Sequence, residues 1–149
     1  MTKQREKIIV FTDGGSRGNP GVSGVGAVIS NAQGQLIKKS SKNIGTRTNN
    51  EAEYEAVIFA LQKVKQIFGK EKAKQLEIEV KMDSELVARQ LNGKYKIKED
   101  KLIPLFVKVW NLKMDFGPIS FKEIPRAKNK EADALANEAM NVKEQASIF

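Results

Sequence analysis

The chain has 149 residues and contains neither cysteine nor histidine. Without cysteine it has no disulfides and no thiolate metal site. Without histidine there is no imidazole to serve as base, proton shuttle or ligand. Any metal must therefore be held by oxygen, which suits Mg²⁺, Mn²⁺ or Ca²⁺. No apolar run is long enough to span a bilayer, so no membrane partner is expected. The start, Met1 to Lys7, is polar and lacks the apolar core of a secretory leader, so a cytoplasmic location is expected. Internal repeats, linkers and composition shifts are also missing. One domain over residues 1–149 is expected, with its core at about 7–141 and a short tail at 142–149. Positive charge is plentiful: 26 Lys and Arg against 18 Asp and Glu, a net +8. That balance favours a polyanionic partner, though it also fits a merely basic soluble protein. Hydrophobic residues make up 40% and charged residues 30%, the composition of a globular domain with a real core.

The chain is organised around Asp13. Ile8, Ile9, Val10 and Phe11 form an apolar run without alternation, as in a central strand covered on both faces. The run ends in Thr12 and Asp13, which places a carboxylate at the rim of a sheet. Gly14 and Gly15 follow and would let a ligand approach the backbone. Alone, Asp13-Gly14 fits a hairpin turn as well as a site. A loop is expected over 14–21, a second strand over 22–30 and a hairpin turn at 31–34. A more polar third strand over 35–43 would lie at an edge. Gly24 and Gly26 in the second strand weaken it or mark close packing.

Thr48 and Glu51 form a capping box for a helix that Gly69 stops. Residues 53, 57, 60 and 64 share one face, so Glu53 stands in line with the apolar stripe, where most acidic residues would point away. After a polar connection over 70–75, the alternating segment 76–83 is a fourth strand, again ending in a carboxylate, Asp83. Ser84 caps a short helix over 85–91, stopped by Asn92 and Gly93. A basic loop with one aromatic follows: Lys94, Tyr95, Lys96, Ile97, Lys98. A helix is expected from about Ile103 to Phe116, a fifth strand over 119–124, and a last helix from Asn129 to about Asn141 with Asp133 near its start.

Asp13, Glu53, Asp83 and Asp133 thus come from two strand ends and two helix starts, which converge on one edge of an open α/β sheet. Four clustered carboxylates repel one another and need cations or raised pKa values. Two divalent ions roughly 4 Å apart are the usual arrangement for phosphoryl transfer at a nucleic acid. A basic protein with an all-carboxylate centre reads as a metal-dependent nuclease.

At this point the chain resembles type 1 ribonuclease H, in a form without the basic handle and without the active-site-loop histidine. The matching segments are Thr12 to Gly21, Thr48 to Tyr54, Met82 to Ser84 and Asn129 to Asp133, in the family's order and together covering roughly residues 7–141. Each is weak alone; together they are specific. The resemblance implies a ribonuclease H-like α/β fold: a five-stranded mixed sheet in the order 3-2-1-4-5, flanked by about four helices. It implies that Asp13, Glu53, Asp83 and Asp133 are catalytic and hold two Mg²⁺ ions, with Mn²⁺ as a possible substitute. It also implies cleavage of the RNA strand of RNA–DNA hybrids, leaving 5′-phosphate and 3′-hydroxyl ends; a monomer is expected, with the oligomeric state left open by the sequence. Gly14, Gly15, Ser16, Asn19, Asn49 and Asn50 would meet the minor groove, where only the 2′-hydroxyl separates RNA from DNA. Thr48, with Arg47, lies where the family grips a DNA phosphate, although Thr48 is equally a helix cap.

Two departures from the family stand out. Where many members carry the histidine, this chain has Pro125-Arg126-Ala127-Lys128. Arg126 would assist the leaving phosphate but stays protonated, so it is no general base; Glu123 is a weaker candidate. In place of the handle, Lys94, Lys96, Lys98 and Lys101, with Tyr95, would grip the hybrid, unless they are only a solvated surface. A non-catalytic hybrid binder would not need four acids facing a polyanion. A DNA nuclease or integrase on the same fold fits the asparagine and glycine segments less well. The tail, Gln145 to Phe149, resembles a peptide that docks replication proteins on the sliding clamp, with Ile148 and Phe149 as apolar anchors.

Overall fold

The computed structural model describes the backbone of residues 4–146 and the side chains of residues 4–141. Five strands run over β1 Lys7–Ser16, β2 Gly21–Asn31, β3 Leu36–Arg47, β4 Glu77–Met82 and β5 Ile119–Glu123. Five helices accompany them: α1 Asn49–Phe68, α2 Lys70–Ala73, α3 Glu85–Leu91, α4 Ile103–Lys113 and α5 Lys130–Ala146. The strands form one sheet in the order β3-β2-β1-β4-β5. β1, β2 and β3 form an antiparallel meander, whereas β4 pairs parallel to β1 and β5 parallel to β4. This is the ribonuclease H-like arrangement that the motifs imply, with β1 at the centre.

The apolar run in β1 divides between two layers. Ile8 and Val10 are fully buried and join Val57, Leu61 and Val64 of α1, and Val109 of α4, in the main core. The opposite face of β1 and β2 receives α5 through Ala132, Ala136, Ala139 and Met140, all buried. Small residues on both sides bring α5 close. A Cβ on Gly26 would lie 2.4 Å from the Ala132 carbonyl oxygen, and one on Gly24 would lie 2.5 Å from that of Ala136. Of the two expectations for these glycines, close packing is the one realised.

Several boundaries differ from the expected ones. β1 continues through Gly14, Gly15 and Ser16, opposite Val25, Gly24 and Ser23, so these residues are strand and not loop. The antiparallel partner carries them on, which their turn-prone composition hides. β3 extends to Arg47, held by its pairing with Gly21. Residues 70–73 form a helical turn where a plain connection was expected, and α4 stops at Lys113, short of Phe116. α5 reaches Ala146 and so takes up much of the expected aperiodic tail; residues 147–149 lie outside the described residues. Among the described residues no helix is long and apolar enough to cross a membrane.

Candidate active site

The four carboxylates line one groove. Asp13 stands on β1 opposite Gly26. Glu53 lies in the first turns of α1, Asp83 directly follows β4, and Asp133 lies in the first turn of α5. One oxygen from each of Asp13, Glu53 and Asp83 lies within 4.8 Å of the other two. Asp133 is not part of that three-carboxylate cluster; it lines the same groove and its charge helps to raise the Asp13 carboxyl.

Burial and like charge dominate the electrostatics. Asp13 is 7% exposed. Its carboxyl is pushed up to about 8, first by burial and then by the charges of Asp83 and Asp133, against the pull of Arg126. Glu53 is raised well above the ordinary carboxylate range, again first by burial and then by Asp13 and Asp83. The Gly14 N–H donated to it and the charge of Arg126 act the other way. One oxygen of Glu53, Oε2, is sealed from solvent without a hydrogen-bond partner. An orphaned buried carboxylate oxygen, an all-oxygen donor set and uncompensated negative charge together fit a divalent cation.

The segments that carry the acids are locally braced. The Thr48 hydroxyl accepts from Glu51 N at 3.2 Å, and Glu51 Oε1 accepts from Thr48 N at 2.9 Å, so the expected capping box starts α1. Ser84 Oγ accepts from Val87 N at 3.2 Å and starts α3 beside Asp83. Asn129 is 1% exposed. Its Nδ2 donates to the Thr12 carbonyl at 2.8 Å, and its own carbonyl accepts from Asp133 N at 3.1 Å. It therefore joins the residue before Asp13 to the helix turn that carries Asp133. The motif containing Asn129 was visible in the sequence, but this bracing role was not.

The glycines and asparagines expected to meet a ligand are partly committed elsewhere. Gly14 is buried, and a Cβ there would lie 2.0 Å from the Ala52 carbonyl oxygen. The missing side chain at 14 therefore serves the packing of α1 on β1, while Gly14 also lines the groove. Gly15 borders the groove, with Met140 as its nearest side chain. Ser16 N donates to Asn49 Oδ1 at 3.0 Å, and Asn49 N donates to Asn19 Oδ1 at 3.0 Å. The Ser16 hydroxyl is bonded to the carbonyls of Gly18 and Arg47. Asn50 Nδ2 donates to Glu99 Oε1 at 2.9 Å. The amide nitrogens of Asn19 and Asn49 remain without a partner among the described residues. Arg47 turns back to the Thr46 carbonyl at 2.9 Å.

Arg126 lines the groove, whereas Glu123 points elsewhere and pairs with Arg89 at 3.8 Å. Lys94, Lys96 and Lys98 are exposed around a neighbouring hollow shared with Gln90 and Glu99. Five groove residues, Arg17, Ser84, Ala136, Asn137 and Met140, were not among the expected site residues. Arg17 donates to the Asn137 carbonyl at 3.4 Å and to Asn141 Oδ1. Arg17 belongs to one of the family-like segments; Asn137 and Met140 carry no signal beyond helical periodicity. The docking peptide expected at Gln145 to Phe149 lies outside the residues whose side chains are described.

A family model described as reverse transcriptase-like matches residues 11–139. LC11 ribonuclease H1, solved in complex with an RNA/DNA hybrid, is 47% identical, with a TM-score of 0.86 over 91% of this chain and 98% of that one. The ribonuclease HI of Halobacterium salinarum is 38% identical over 91% of this chain and 65% of its own length. A bifunctional protein of Mycobacterium tuberculosis is 40% identical over 95% of this chain, which spans only 37% of that relative.

Proposed function

This chain belongs to the ribonuclease H family, and from that premise we propose that it is an endoribonuclease hydrolysing the RNA strand of RNA–DNA hybrids. The observation that carries the reading is the close cluster of a buried Asp13 with half-buried Glu53 and Asp83, and its orphaned Glu53 oxygen, on a chain of net charge +8. A polyanion would be repelled by such a centre unless cations stood between them.

The family is metal-dependent; the finer assignment, two Mg²⁺ ions replaceable by Mn²⁺, belongs to this proposal. Asp13, Glu53, Asp83 and Asp133 would hold them. When bound, the pair neutralises charge on the scissile phosphate and lowers the pKa of a water. The chain's own residues do the rest. Asp13, on the central strand, is coupled to Glu53, Asp83 and Asp133 alike and orders the cluster. Water adds to phosphorus and the bond to the 3′ oxygen breaks, leaving a 5′-phosphate and a 3′-hydroxyl. Arg126 donates hydrogen bonds to the phosphate and cannot take a proton from water. Asn49, braced against Ser16, and Asn19, braced against Asn49, present amide nitrogens where a 2′-hydroxyl marks the strand as RNA. Asn50 and the backbone at Gly15 border the same path. Thr48 combines its capping role with a place beside the DNA strand, and Lys94, Lys96 and Lys98 contact phosphates further along.

The test is cleavage of end-labelled RNA–DNA, RNA–RNA and DNA–DNA duplexes with Mg²⁺ and with EDTA. The reading requires cutting of RNA in the hybrid alone, dependent on metal and lost in Asp13→Asn. Cutting of DNA–DNA, or cutting in EDTA, would overturn it.

A further inference from the structure

The loop that carries Lys94, Lys96 and Lys98 is pinned to the protein by a buried polar chain that the proposed chemistry does not use. Tyr54, the residue after Glu53, is fully buried, and its hydroxyl donates to Gln90 Oε1 at 2.7 Å. Gln90 is 3% exposed, and its Nε2 donates to the Lys96 carbonyl at 3.3 Å. A buried amide with both ends bonded holds one geometry, because releasing either end would leave a polar group unpaired.

The rest of the loop is tied as firmly. Lys94 N and Tyr95 N both donate to the Arg89 carbonyl, at 2.8 and 3.2 Å. The Tyr95 ring lies under the Arg89 guanidinium at 5.3 Å, and its hydroxyl donates to Glu85 at 2.8 Å. At the far end Glu99 accepts from Asn50, which lines the carboxylate groove. Three exposed lysines are thus held at a fixed offset from the acids by bonds that begin one residue from Glu53. Mobile surface lysines would need none of this.

We propose that Gln90 is a positioning residue for substrate binding: it sets the register between the lysine loop and the carboxylate groove, so that phosphates remote from the scissile bond meet Lys94, Lys96 and Lys98. The inference rests on the hybrid-cleaving function proposed above. It assigns Gln90 to binding and not to the chemical step.

Gln90→Leu alone would leave the Tyr54 hydroxyl unpaired, so the test uses the double variant Tyr54→Phe/Gln90→Leu, with Tyr54→Phe as its parent. Tyr54→Phe keeps the bond from Gln90 to Lys96. Steady-state cleavage of a labelled hybrid is measured across about 50 to 200 mM salt. From parent to double variant, KM should rise about fivefold to tenfold, with kcat unchanged within about twofold. The slope of log(1/KM) against log salt should flatten by about one, the effect of leaving one phosphate without its lysine. A folded double variant with the parent's KM and slope overturns the proposal. So does a variant whose kcat falls with an unchanged KM, since that would place Gln90 in support of the acids. If the wild-type protein fails to cleave the hybrid, the functional reading itself is rejected and this inference with it.

Discussion

Removing one charge from the acidic cluster should stabilise the metal-free protein, in a way that depends on pH. The Asp13 carboxyl is raised from 3.8 to about 8, chiefly by burial. The native state therefore keeps its proton over a range in which the unfolded chain has lost it. With more protons bound to the native state, stability falls as pH rises through that window, from about 4 to about 8, and levels off above it. Each pH unit is worth about 1.4 kcal/mol, so about four units set an upper bound of ~6 kcal/mol. The groove is open to water on one side and the acids can relax apart, so roughly half of that, ~2–3 kcal/mol, is expected at pH 8. Asp13→Asn keeps the shape and removes the titration. In EDTA at pH 8 its unfolding midpoint should exceed that of the wild type by about 5–10 °C, since ~1 kcal/mol is worth ~2–4 °C in a domain of this size. At pH 4 the two proteins should melt together. The assay is thermal unfolding by circular dichroism from pH 4 to pH 9 in EDTA. A gap that does not change with pH, or a less stable variant at pH 8, would show that Asp13 is not held neutral by its surroundings.

Other perturbations test separate parts of the structure. Gly26→Ala should destabilise by about 1–3 kcal/mol, because the added Cβ would meet the Ala132 carbonyl oxygen and α5 would have to lift from the sheet; urea unfolding reads this directly, and a neutral result would mean that α5 shifts freely. Arg126→Ala should lower kcat more than it raises KM if Arg126 acts on the phosphate during reaction, whereas equal effects would make it a binding residue. Replacing Lys94, Lys96 and Lys98 together by Ala should flatten the salt dependence of hybrid binding by about 0.9 for each phosphate that no longer meets a lysine, with anisotropy titrations as the readout; an unchanged slope would leave these lysines as solvated surface.

Much of this architecture was legible from local pattern. The unbroken apolar run from Ile8 to Phe11 marked a central strand, and β1 does lie between β2 and β4. The position of Glu53 on the stripe of Val57, Ala60 and Val64 marked an inward-facing acid, and the structure buries one of its oxygens. The absence of histidine and cysteine already restricted any metal site to oxygen ligands. These are properties of spacing and composition, which survive in one dimension because helix and strand periods are local.

Other features depended on residues far apart in the chain. Gly14 read as room for a ligand; it is also the point where α1 approaches β1, which only the packed helix reveals. Asn129 looked like part of a motif, and its bond to the Thr12 carbonyl spans 117 residues. Asn49 and Ser16, both expected to face a ligand, are bonded to each other. The lysine loop rests on Tyr54 and Gln90, a connection between segments that the sequence does not show. Sequence alone therefore determined which residues could carry the chemistry and on which elements they would stand. The tertiary structure decided which polar groups are already bonded within the protein and which remain for a substrate, because hydrogen bonds between distant segments leave no local periodicity.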